Sequence, residues 1–359
     1  MKIGIDVSQI IYGTGVSNYT KNLVTSLIAQ DDANQYVLFG SSLRQFGQFS
    51  KLIPSKTNIT AKFYPFPPRV LDLIWNQLHI IPVENLIGPV DIFHSSDWTQ
   101  PPTKRAGKIT TIHDLSPLVV PELTPPSTLK THRRRLQWVK KEADLVIAVS
   151  EATKSDIVKY LSIPPERIRV IHEAPDPVFS PVGNTQVVQV KKKYDLSGQY
   201  FLFVGVGMRK NLAMARKVII EKFKDYQLVV VGANIEERQP STIFLNNVSA
   251  ADLATLYAGA QALLYISFYE GFGLPLLEAM AVGCPVVASD INVLAEISGG
   301  AAVLVDSYDE DSIASGARKA IDCKDELIKK GFDRAKQFSW QVSAWQTLQA
   351  YTEVFQGGS

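Results

Sequence analysis

Two glutamates, Glu270 and Glu278, flank a glycine-containing turn in the second half of the chain. The apolar run 262–266 before them predicts a buried parallel strand, and residues 276–282 predict a helix that packs on it. Such a turn leaves backbone N–H groups free at a helix N-terminus, where phosphate groups bind. Carboxylates beside a phosphate site accept hydrogen bonds from hydroxyls. The pattern therefore predicts a ligand with phosphate and hydroxyl groups, such as a nucleotide sugar.

The turn itself consists of Gly271, Phe272, Gly273 and Leu274. Its glycines allow the backbone to approach a bound ligand closely, and we expect all four residues to bind the donor. An ordinary strand-to-helix turn is the simpler interpretation. The whole segment 270–290, EGFGLPLLEAMAVGCPVVASD, closely resembles the signature of retaining GT-B glycosyltransferases. This large family contains bacterial mannosyl- and glucosyltransferases.

The resemblance implies a fold and an activity. The fold is α/β: GT-B, with two doubly wound Rossmann-like domains facing a central cleft. The activity is retaining transfer of a hexose from a nucleotide-diphosphate sugar to a glycan or lipid-linked acceptor. In similar enzymes the residue matching Glu270 contacts sugar hydroxyls, and the residue matching Glu278 contacts the ribose. We therefore expect Glu270 to be catalytic and Glu278 to bind the donor.

A further phosphate site is predicted in the loop that starts at Gly205, after an apolar run typical of a strand. Arg209 can fork onto phosphate oxygens, and Lys210 supplies a point charge. A solvated loop with chance cations is the alternative. The family usually carries an Arg directly after the strand's glycine, where this chain has Val206. The loop resembles the variant ending in Arg-Lys-Asn, which favours GDP-mannose over UDP-glucose.

The cations of this loop could stabilise the leaving diphosphate without a metal ion. The sequence Asp309-Glu310-Asp311 matches the Asp-x-Asp pattern of the metal site in the other glycosyltransferase fold class. It precedes a predicted helix, however, where acidic residues are ordinary caps. We expect a metal-independent enzyme with no cofactor beside the nucleotide-sugar co-substrate.

In the first half, Gly13 and Gly15 lie between a predicted strand and a predicted helix. A dinucleotide fingerprint would need a third glycine, and that position is Asn18. A tight turn that presents N–H groups to a phosphate is the alternative that we favour. The resemblance implies that Gly13 and Gly15 face the donor diphosphate or the acceptor.

His113 follows a predicted strand at 108–112. The carboxyl ends of parallel strands are where α/β proteins bind ligands, although a lone histidine there is more often a satisfied polar residue. The phrase TIHDLSP resembles the sugar-contacting histidine loop of the family. We therefore expect His113 to be the second catalytic residue.

The chain of 359 residues is too long for one ordinary core, so two domains are expected. The first comprises 1–174 plus 340–359, where placement of the last helix follows the resemblance alone. Residues 175–198 hold Pro175, Pro177, Pro181 and Gly183 and read as a linker. The nucleotide-sugar domain is 199–339.

The composition is globular, with 46% apolar residues, and no run is long enough to span a membrane. Two cysteines fit a reducing compartment, and the start of the chain does not read as a signal peptide, so we expect a cytoplasmic protein. Residues 1–174 carry 20 basic against 15 acidic residues, a net charge of +5. This excess is too small to indicate nucleic-acid binding.

Much of the basic charge lies in the predicted helix 130–141. Its cationic residues are Lys130, His132, Arg133, Arg134, Arg135, Lys140 and Lys141. A solvated helix face is one interpretation. Peripheral contact with the anionic inner face of the cell membrane, or with a lipid-phosphate acceptor, is the other.

Two further functions remain open. The first is an NAD-dependent oxidoreductase with two Rossmann-like halves, which the incomplete glycine fingerprint disfavours. The second is a non-catalytic nucleotide-sugar-binding protein. This alternative is disfavoured because the chain retains all four of the expected site residues His113, Lys210, Glu270 and Glu278.

Overall fold

The computed structural model describes residues 1–53, 56–232, 237–239 and 241–357. The chain divides into two compact units, Met1–Glu173 with Trp340–Ser359 and Ala174–Ser339. Each unit is built on a largely parallel β-sheet with helices in the connections. The predicted fold class, two Rossmann-like α/β domains, is confirmed.

The sheet of the first unit has the strand order β3-β2-β1-β4-β5-β6-β7, and its neighbouring strands are parallel. Its strands are β1 (Lys2–Asp6), β2 (Gln35–Ser41), β3 (Ile59–Tyr64), β4 (Ile92–Ser95), β5 (Gly107–Ile112), β6 (Leu145–Ala148) and β7 (Ile168–Val170). The central strands are short apolar runs buried on both faces, as parallel sheets require. The order reverses between β1 and β4, and such a switch point opens a crevice at the carboxyl ends of the strands.

The connections of the first unit contain helices of very different length. They are α1 (Gly15–Gln30), α2 (Phe49–Leu52), α3 (Pro68–Leu71), α4 (Glu84–Ile87), α5 (Ser116–Val119), α6 (Pro126–Glu142) and α7 (Glu151–Asp156). Thr14 caps α1 in a capping box with Ser17, which fixes the start of this helix directly after Gly13. A π-helical segment, Asp72–Gln77, continues α3.

The sheet of the second unit has the order β10-β11-β9-β8-β12-β13-β14. Its strands are β8 (Gln199–Val204), β9 (Tyr226–Val231), β10 (Glu237–Gln239), β11 (Thr242–Leu245), β12 (Leu263–Tyr265), β13 (Val286–Ser289) and β14 (Val303–Val305). The edge strand β10 is antiparallel to β11, and the other neighbours are parallel. The switch point lies between β8 and β12, which therefore end at one crevice.

Helices connect these strands and close the chain. They are α8 (Asn184–Lys193), α9 (Leu212–Lys222), α10 (Ala250–Gly259), α11 (Leu274–Val282), α12 (Asn292–Ser298), α13 (Glu310–Asp322), α14 (Lys324–Ala335) and α15 (Trp340–Gly357). Among the described residues, none of the helices combines the length and hydropathy that a membrane-spanning segment needs.

Residues 175–198, which sequence analysis predicted as a linker, contain α8, which packs on α10 of the second unit. Gln186 accepts a hydrogen bond from the backbone N–H of Gly183 at the start of α8, so the helix begins after the prolines rather than among them. The predicted linker therefore consists of a proline-rich stretch followed by a helix.

The last helix, α15, belongs to the first unit and packs against α1. The Ser343 hydroxyl donates to the backbone carbonyl of His172 at 2.6 Å. Tyr351 is fully buried, and its hydroxyl oxygen lies 2.7 Å from Nδ1 of His94 on β4. These contacts hold α15 against β4 and against the segment that follows β7.

Candidate functional site

The predicted site residues fall into two groups, one in each unit, and each group is described by itself. The group of the second unit is built around Lys210. Its ammonium Nζ donates to Glu270 Oε1 at 2.6 Å and lies 3.2 Å from the Tyr265 hydroxyl oxygen. The structure thus brings a predicted phosphate ligand and a predicted sugar ligand into direct contact.

The loop after β8 positions Lys210 through two residues with positive φ. Gly205 has φ +90°, and a Cβ built there would lie 3.3 Å from Lys210 Cε, so glycine leaves room for the lysine stem. Asn211 has φ +62°, and its side-chain amide donates to the Ser307 carbonyl at 2.8 Å. Asparagine tolerates this conformation better than most residues. The loop therefore aims Lys210 at the end of β12 and at Glu270.

The Lys210–Glu270 pair is largely withdrawn from solvent. The exposed fractions of the two side chains are 17% and 7%. Burial raises the pKa of Glu270, but the charges of Lys210 and Arg209 outweigh it and hold the pKa below its usual range. Glu270 is therefore an ionised acceptor at neutral pH.

Arg209 is placed beside the same carboxylate. Its backbone carbonyl accepts from the Phe268 amide at 2.8 Å, which ties the loop to the segment leading to Glu270. Its charge lowers the pKa of both Glu270 and Tyr265, although burial keeps the pKa of Tyr265 well above its usual range. Two cations, Lys210 and Arg209, thus lie near the single carboxylate of Glu270. The excess positive charge can attract a phosphate group.

The turn 271–274 leads into α11, and Gly273 is its N-cap with φ +104°. A Cβ built at Gly273 would lie 2.9 Å from Leu294 Cδ2, so both the backbone and the packing favour glycine. Phe272 is buried and meets Phe338 edge to face at 6.0 Å between ring centroids. Among the residues that the structure describes, no side chain caps α11.

Glu278 lies inside α11 and is buried. The hydroxyl of Tyr257 on α10 donates to Glu278 Oε2 at 3.3 Å. Burial and the charge of Glu278 raise the pKa of Tyr257 well above its usual range, so this hydroxyl keeps its proton. Tyr257 therefore orients Glu278, a role that sequence analysis did not identify.

The acidic run 309–311 has the helix-capping role that was weighed for it. The Asp309 carboxylate accepts from the Asp311 amide at 2.9 Å as the N-cap of α13. Lys222 pairs with Asp311 at 3.0 Å, and Lys217 pairs with Glu310. The described residues contain no group of three or more His, Cys, Asp or Glu side chains arranged to hold a metal ion.

In the first unit, His113 follows β5 and pairs with Glu173. The distance between His113 Nδ1 and Glu173 Oε1 is 2.7 Å, and the exposed fractions of the side chains are 13% and 5%. Burial lowers the pKa of His113, but the hydrogen bond and charge of Glu173 outweigh it and raise the pKa. The pair fixes the ring, with Nδ1 as donor and Nε2 turned away from Glu173.

Glu173 was missed because it lies 60 residues from His113 and at the edge of the predicted linker. The available signal was its position just beyond β7, at the same edge of the sheet as His113. Parallel strands bring their carboxyl ends together, so an acidic residue there was a candidate partner.

A buried hydrogen-bonded chain supports the His113 ring from behind. Tyr19 of α1 meets the ring edge to face, with centroids 4.5 Å apart, and its hydroxyl lies 2.9 Å from Thr111 Oγ1. Thr111 is also 2.9 Å from His94 Nε2. Burial, with the charges of His113 and Arg135, lowers the pKa of His94 to about 3, so His94 is neutral.

Gly13 and Gly15 form an open loop at the start of α1. Gly13 has φ +67°, and a Cβ built at either glycine would meet no atom of the described residues within 4 Å. The structure thus leaves space beside both glycines.

The basic helix is only partly a surface feature. Arg135 is fully buried, and its guanidinium bonds Ser96 O, Asp97 Oδ1, Thr110 Oγ1 and Thr111 O. Arg134 lies 3.7 Å from Asp72. Including Arg135 in an exposed basic face was therefore wrong, because i, i+1 neighbours point to different sides of a helix and Arg135 points inward.

Comparison with known proteins gives two family-model matches. The model described as Glycosyltransferase Family 4 matches residues 13–178, and Glycosyl transferases group 1 matches residues 189–337. The O-antigen chain mannosyltransferase B of Escherichia coli is 29% identical, over 98% of this chain and 99% of that protein. The O-antigen chain mannosyltransferase RfbU of Salmonella typhimurium strain LT2 is 30% identical, over 63% of this chain and 66% of that protein.

Solved structures with similar folds cover nearly the whole chain. Sucrose-phosphate synthase from Thermosynechococcus elongatus aligns with a TM-score of 0.78 and 19% identity, over 99% of this chain and 100% of that one. WaaG, a glycosyltransferase involved in lipopolysaccharide biosynthesis, aligns with a TM-score of 0.70 and 14% identity, over 98% and 99%. At these identities the likeness concerns the fold alone.

Proposed function

We propose that this chain, which belongs to the group 1 glycosyltransferases of GT-B fold, transfers mannose from GDP-mannose with retention of configuration and without a metal ion. It is a hexosyltransferase that acts on a glycan or lipid-linked acceptor. Mannose is favoured because the relatives from Escherichia coli and Salmonella typhimurium are mannosyltransferases. The oxidoreductase and the non-catalytic alternatives are set aside, since both family models describe glycosyltransferases.

The observation that carries the donor proposal is the buried Lys210–Glu270 pair beside the start of α11. A lysine ammonium has three N–H donors, and Glu270 and Tyr265 occupy two of them. The third is available to an oxygen of the leaving diphosphate, with Arg209 as the second cation. Negative charge develops on the diphosphate as the anomeric bond breaks, so fixed cations lower the barrier.

The two glutamates would then bind the hydroxyls of the donor. Glu270 is ionised and accepts hydrogen bonds from the transferred sugar. Glu278, oriented by Tyr257, accepts from the ribose. The turn 271–274 and the uncapped start of α11 supply backbone N–H groups for phosphate oxygens.

His113 would contact the transferred sugar through Nε2. Glu173 holds Nδ1, and the raised pKa keeps the ring more protonated near neutral pH than a free histidine. A protonated Nε2 donates to a sugar hydroxyl oxygen and so helps to position the sugar. The Gly13 and Gly15 loop, which is open at its surface, would bind the donor diphosphate or the acceptor.

A donor panel tests this function. At a hundredfold excess over Kd, GDP-mannose should stabilise the folded protein by about 2.7 kcal/mol and so raise its melting temperature. UDP-glucose should raise the melting temperature less. Lys210→Met should lose most of the shift caused by GDP. If only UDP-glucose stabilises the protein, the proposed donor is wrong. If no nucleotide stabilises it, the proposed function is contradicted.

We also propose a cytoplasmic protein with peripheral contact to the inner face of the cell membrane, through a surface that combines the end of the predicted basic helix with an exposed apolar segment beside it. Four apolar side chains in the segment 73–81 are exposed: Leu73 by 45%, Leu78 by 56%, Ile80 by 49% and Ile81 by 40%. The segment adjoins the end of α6, because the His79 ring stacks on Trp138 at 3.5 Å. Lys140 and Lys141, both exposed, lie there. Exposed apolar groups flanked by cations suit an anionic lipid surface.

Vesicle sedimentation tests the membrane contact. The double variant Leu78→Ser/Ile80→Ser should release the protein from anionic vesicles, whereas Val188→Ser, at a still more exposed apolar position in the second unit, should not. Unchanged binding of the double variant would rule this surface out.

A further inference from the structure

Two stacked aromatic side chains, Phe268 and Tyr308, lie at the carboxyl edge of the second unit's sheet, where they follow β12 and β14. Their ring centroids are 4.8 Å apart and their planes differ by 26°. Phe268 is half-buried, whereas Tyr308 is 74% exposed, the largest fraction among the large apolar side chains of the described residues. One face of the tyrosine ring is thus covered by Phe268 and the other is open to solvent. We call this pair the aromatic platform.

The backbone beneath the aromatic platform is held by the loop that carries the proposed phosphate ligands. The Phe268 amide donates to the carbonyl of Arg209 at 2.8 Å. The side-chain amide of Asn211 donates to the carbonyl of Ser307, next to Tyr308, also at 2.8 Å. A ring that is positioned before its ligand arrives lowers the entropic cost of binding. The aromatic platform is therefore preorganised.

Groups that can bind sugar hydroxyls adjoin the open ring. The Tyr308 amide donates to Oδ1 of the exposed Asp306 at 2.9 Å. Asp306 Oδ2 and the Tyr308 hydroxyl have no hydrogen-bond partner among the described residues. The face of an aromatic ring carries partial negative charge and so attracts the polarised C–H groups of a sugar ring, whose hydroxyls need acceptors and donors at the edge. The surface around Tyr308 offers both kinds of contact.

The surroundings of the aromatic platform do not suit a protein partner or a membrane. Val206 and Met208 of the adjoining loop are also exposed, by 39% and 58%. A specific protein interface buries about 1,000 Å² or more, which exceeds what one ring and two smaller side chains supply. Four of the six residues 306–311 are acidic, and an anionic lipid surface would repel them.

The aromatic platform also lies on the opposite face of the sheet from the proposed ribose ligand. Glu278 is in α11 and is contacted by Tyr257 of α10, whereas Tyr308 leads into α13, which packs on α9. The connections that contain α9 and α11 run in opposite directions along the sheet, so right-handed crossovers place these helices on opposite faces. A nucleoside bound at Glu278 would therefore lie away from Tyr308, and this disfavours the nucleobase as its ligand.

We propose that the aromatic platform binds a sugar ring of the acceptor glycan other than the ring that reacts. The transferred sugar is the alternative, but its proposed ligand Glu270 is only 7% exposed, whereas a ring on Tyr308 stays in contact with water. A glycan chain that leads away from the reaction has such exposure. The enzyme would therefore prefer acceptors of several sugars to a single sugar. This inference rests on the proposed glycosyltransferase function and adds a residue that selects acceptor length.

Initial rates with two acceptors test this inference, with GDP-mannose at saturation. The acceptors are methyl α-mannoside and the methyl glycoside of a linear α-linked mannotriose. Wild-type enzyme should show a KM at least about fivefold lower for the trisaccharide. Tyr308→Ala should raise the KM for the trisaccharide about five- to tenfold, and should change kcat and the KM for methyl α-mannoside by less than about twofold. A general disturbance of the fold would affect both acceptors.

Further variants separate the aromatic contact from other effects. Tyr308→Phe keeps the ring and should retain most of the preference for the trisaccharide. Tyr308→Leu keeps an apolar side chain without an aromatic face and should behave like Tyr308→Ala. Tyr160→Ala is the matched control, because Tyr160 is an exposed tyrosine of the first unit, and it should leave the kinetics of both acceptors unchanged.

Three kinetic results would overturn the inference. They are equal KM values for the two acceptors in the wild-type enzyme, an equal loss with both acceptors in Tyr308→Ala, and weaker binding of GDP-mannose by that variant, which would assign the ring to the donor.

Binding of the trisaccharide without donor, measured by ligand-observed NMR on the whole protein, separates this inference from the proposed function. Tyr308→Ala should weaken this binding about five- to tenfold. If the wild-type protein transfers sugar from no nucleotide, the proposed function fails, and binding that Tyr308→Ala weakens would still support the aromatic platform. Binding that Tyr308→Ala leaves unchanged, or no binding by the wild-type protein, would overturn it.

Discussion

Glu270→Gln should abolish most of the transfer activity while the protein stays folded. The substitution keeps the volume of the side chain and an acceptor oxygen for Lys210, 2.6 Å away, but removes the negative charge. Glutamine therefore isolates the effect of charge from that of shape. The proposed role of Glu270, accepting hydrogen bonds from the transferred sugar, depends on that charge.

The magnitude follows from the setting of the pair. A hydrogen bond to a charged group contributes about 1.5–3 kcal/mol, which corresponds to a loss of about 10- to 150-fold in kcat/KM. Breaking a fully buried ion pair costs roughly 3–5 kcal/mol of stability. The loss here should be smaller, because Lys210 remains 17% exposed and the amide oxygen still accepts its hydrogen bond.

The stability difference should also depend on pH. The folded-state pKa of Glu270 lies below its unfolded value, so its charge contributes stability above the unfolded pKa. This contribution is lost as the pH falls through the folded pKa. Wild-type protein and Glu270→Gln should therefore differ most in free energy of unfolding near neutral pH and converge in acid.

The assay combines initial rates of mannosyl transfer with urea unfolding. Glu326→Gln is the matched control, because Glu326 pairs with Lys330 at the same distance of 2.6 Å but on the surface. Such exposed pairs contribute little to stability because solvent screens them, so this control should change neither stability nor activity appreciably. Wild-type kcat/KM in a folded Glu270→Gln variant would refute the assignment of Glu270.

Three other predictions follow from the two groups of site residues. Glu173→Gln should lower the pKa of His113 measured by NMR, and an unshifted pKa would contradict the pairing. Because the pKa of His113 is raised in the folded wild-type protein, the stability that this variant loses should be largest below the unfolded pKa of about 6.5. The loss should vanish as the pH rises through the folded pKa. Gly273→Ala should cost about 2 kcal/mol of stability because of its φ of +104° and the 2.9 Å approach to Leu294, whereas Gly47→Ala, at an open position, should be nearly neutral; equal melting temperatures would show that the turn relaxes. Transfer should survive EDTA, and activity lost on chelation and restored by Mn²⁺ would show that Arg209 and Lys210 do not suffice.

Much of the fold follows from local patterns in the sequence. Short apolar runs ended by glycine or a polar residue predict buried parallel strands, and this held for β5 before His113 and β8 before Gly205. The edge strand β10 and its neighbour β11 were not predicted; β10 has only three residues, and so short an edge strand carries a weak pattern. Periodicity alone would also have left α15 in the second domain, since its partners α1 and β4 lie far away in sequence.

The candidate site was predictable only where its residues share a motif. Glu270, Gly273 and Glu278 are linked by spacing, whereas Lys210 reaches Glu270 across 60 residues and the pairing had to come from the structure. The sequence also did not reveal which basic side chain of the helix is buried. Arg135 looks like its neighbours in the sequence, yet it is fully buried and donates to the backbone carbonyl of Ser96.

The most direct test of the central claim is NMR observation of a reaction of the wild-type enzyme with GDP-α-mannose and a mannose-terminated acceptor. We predict release of GDP together with a new α-anomeric mannosyl signal, and loss of both in Lys210→Met. A β-anomeric product would contradict retention. No consumption of GDP-mannose, with a sugar transferred from a different nucleotide, would contradict the proposed donor.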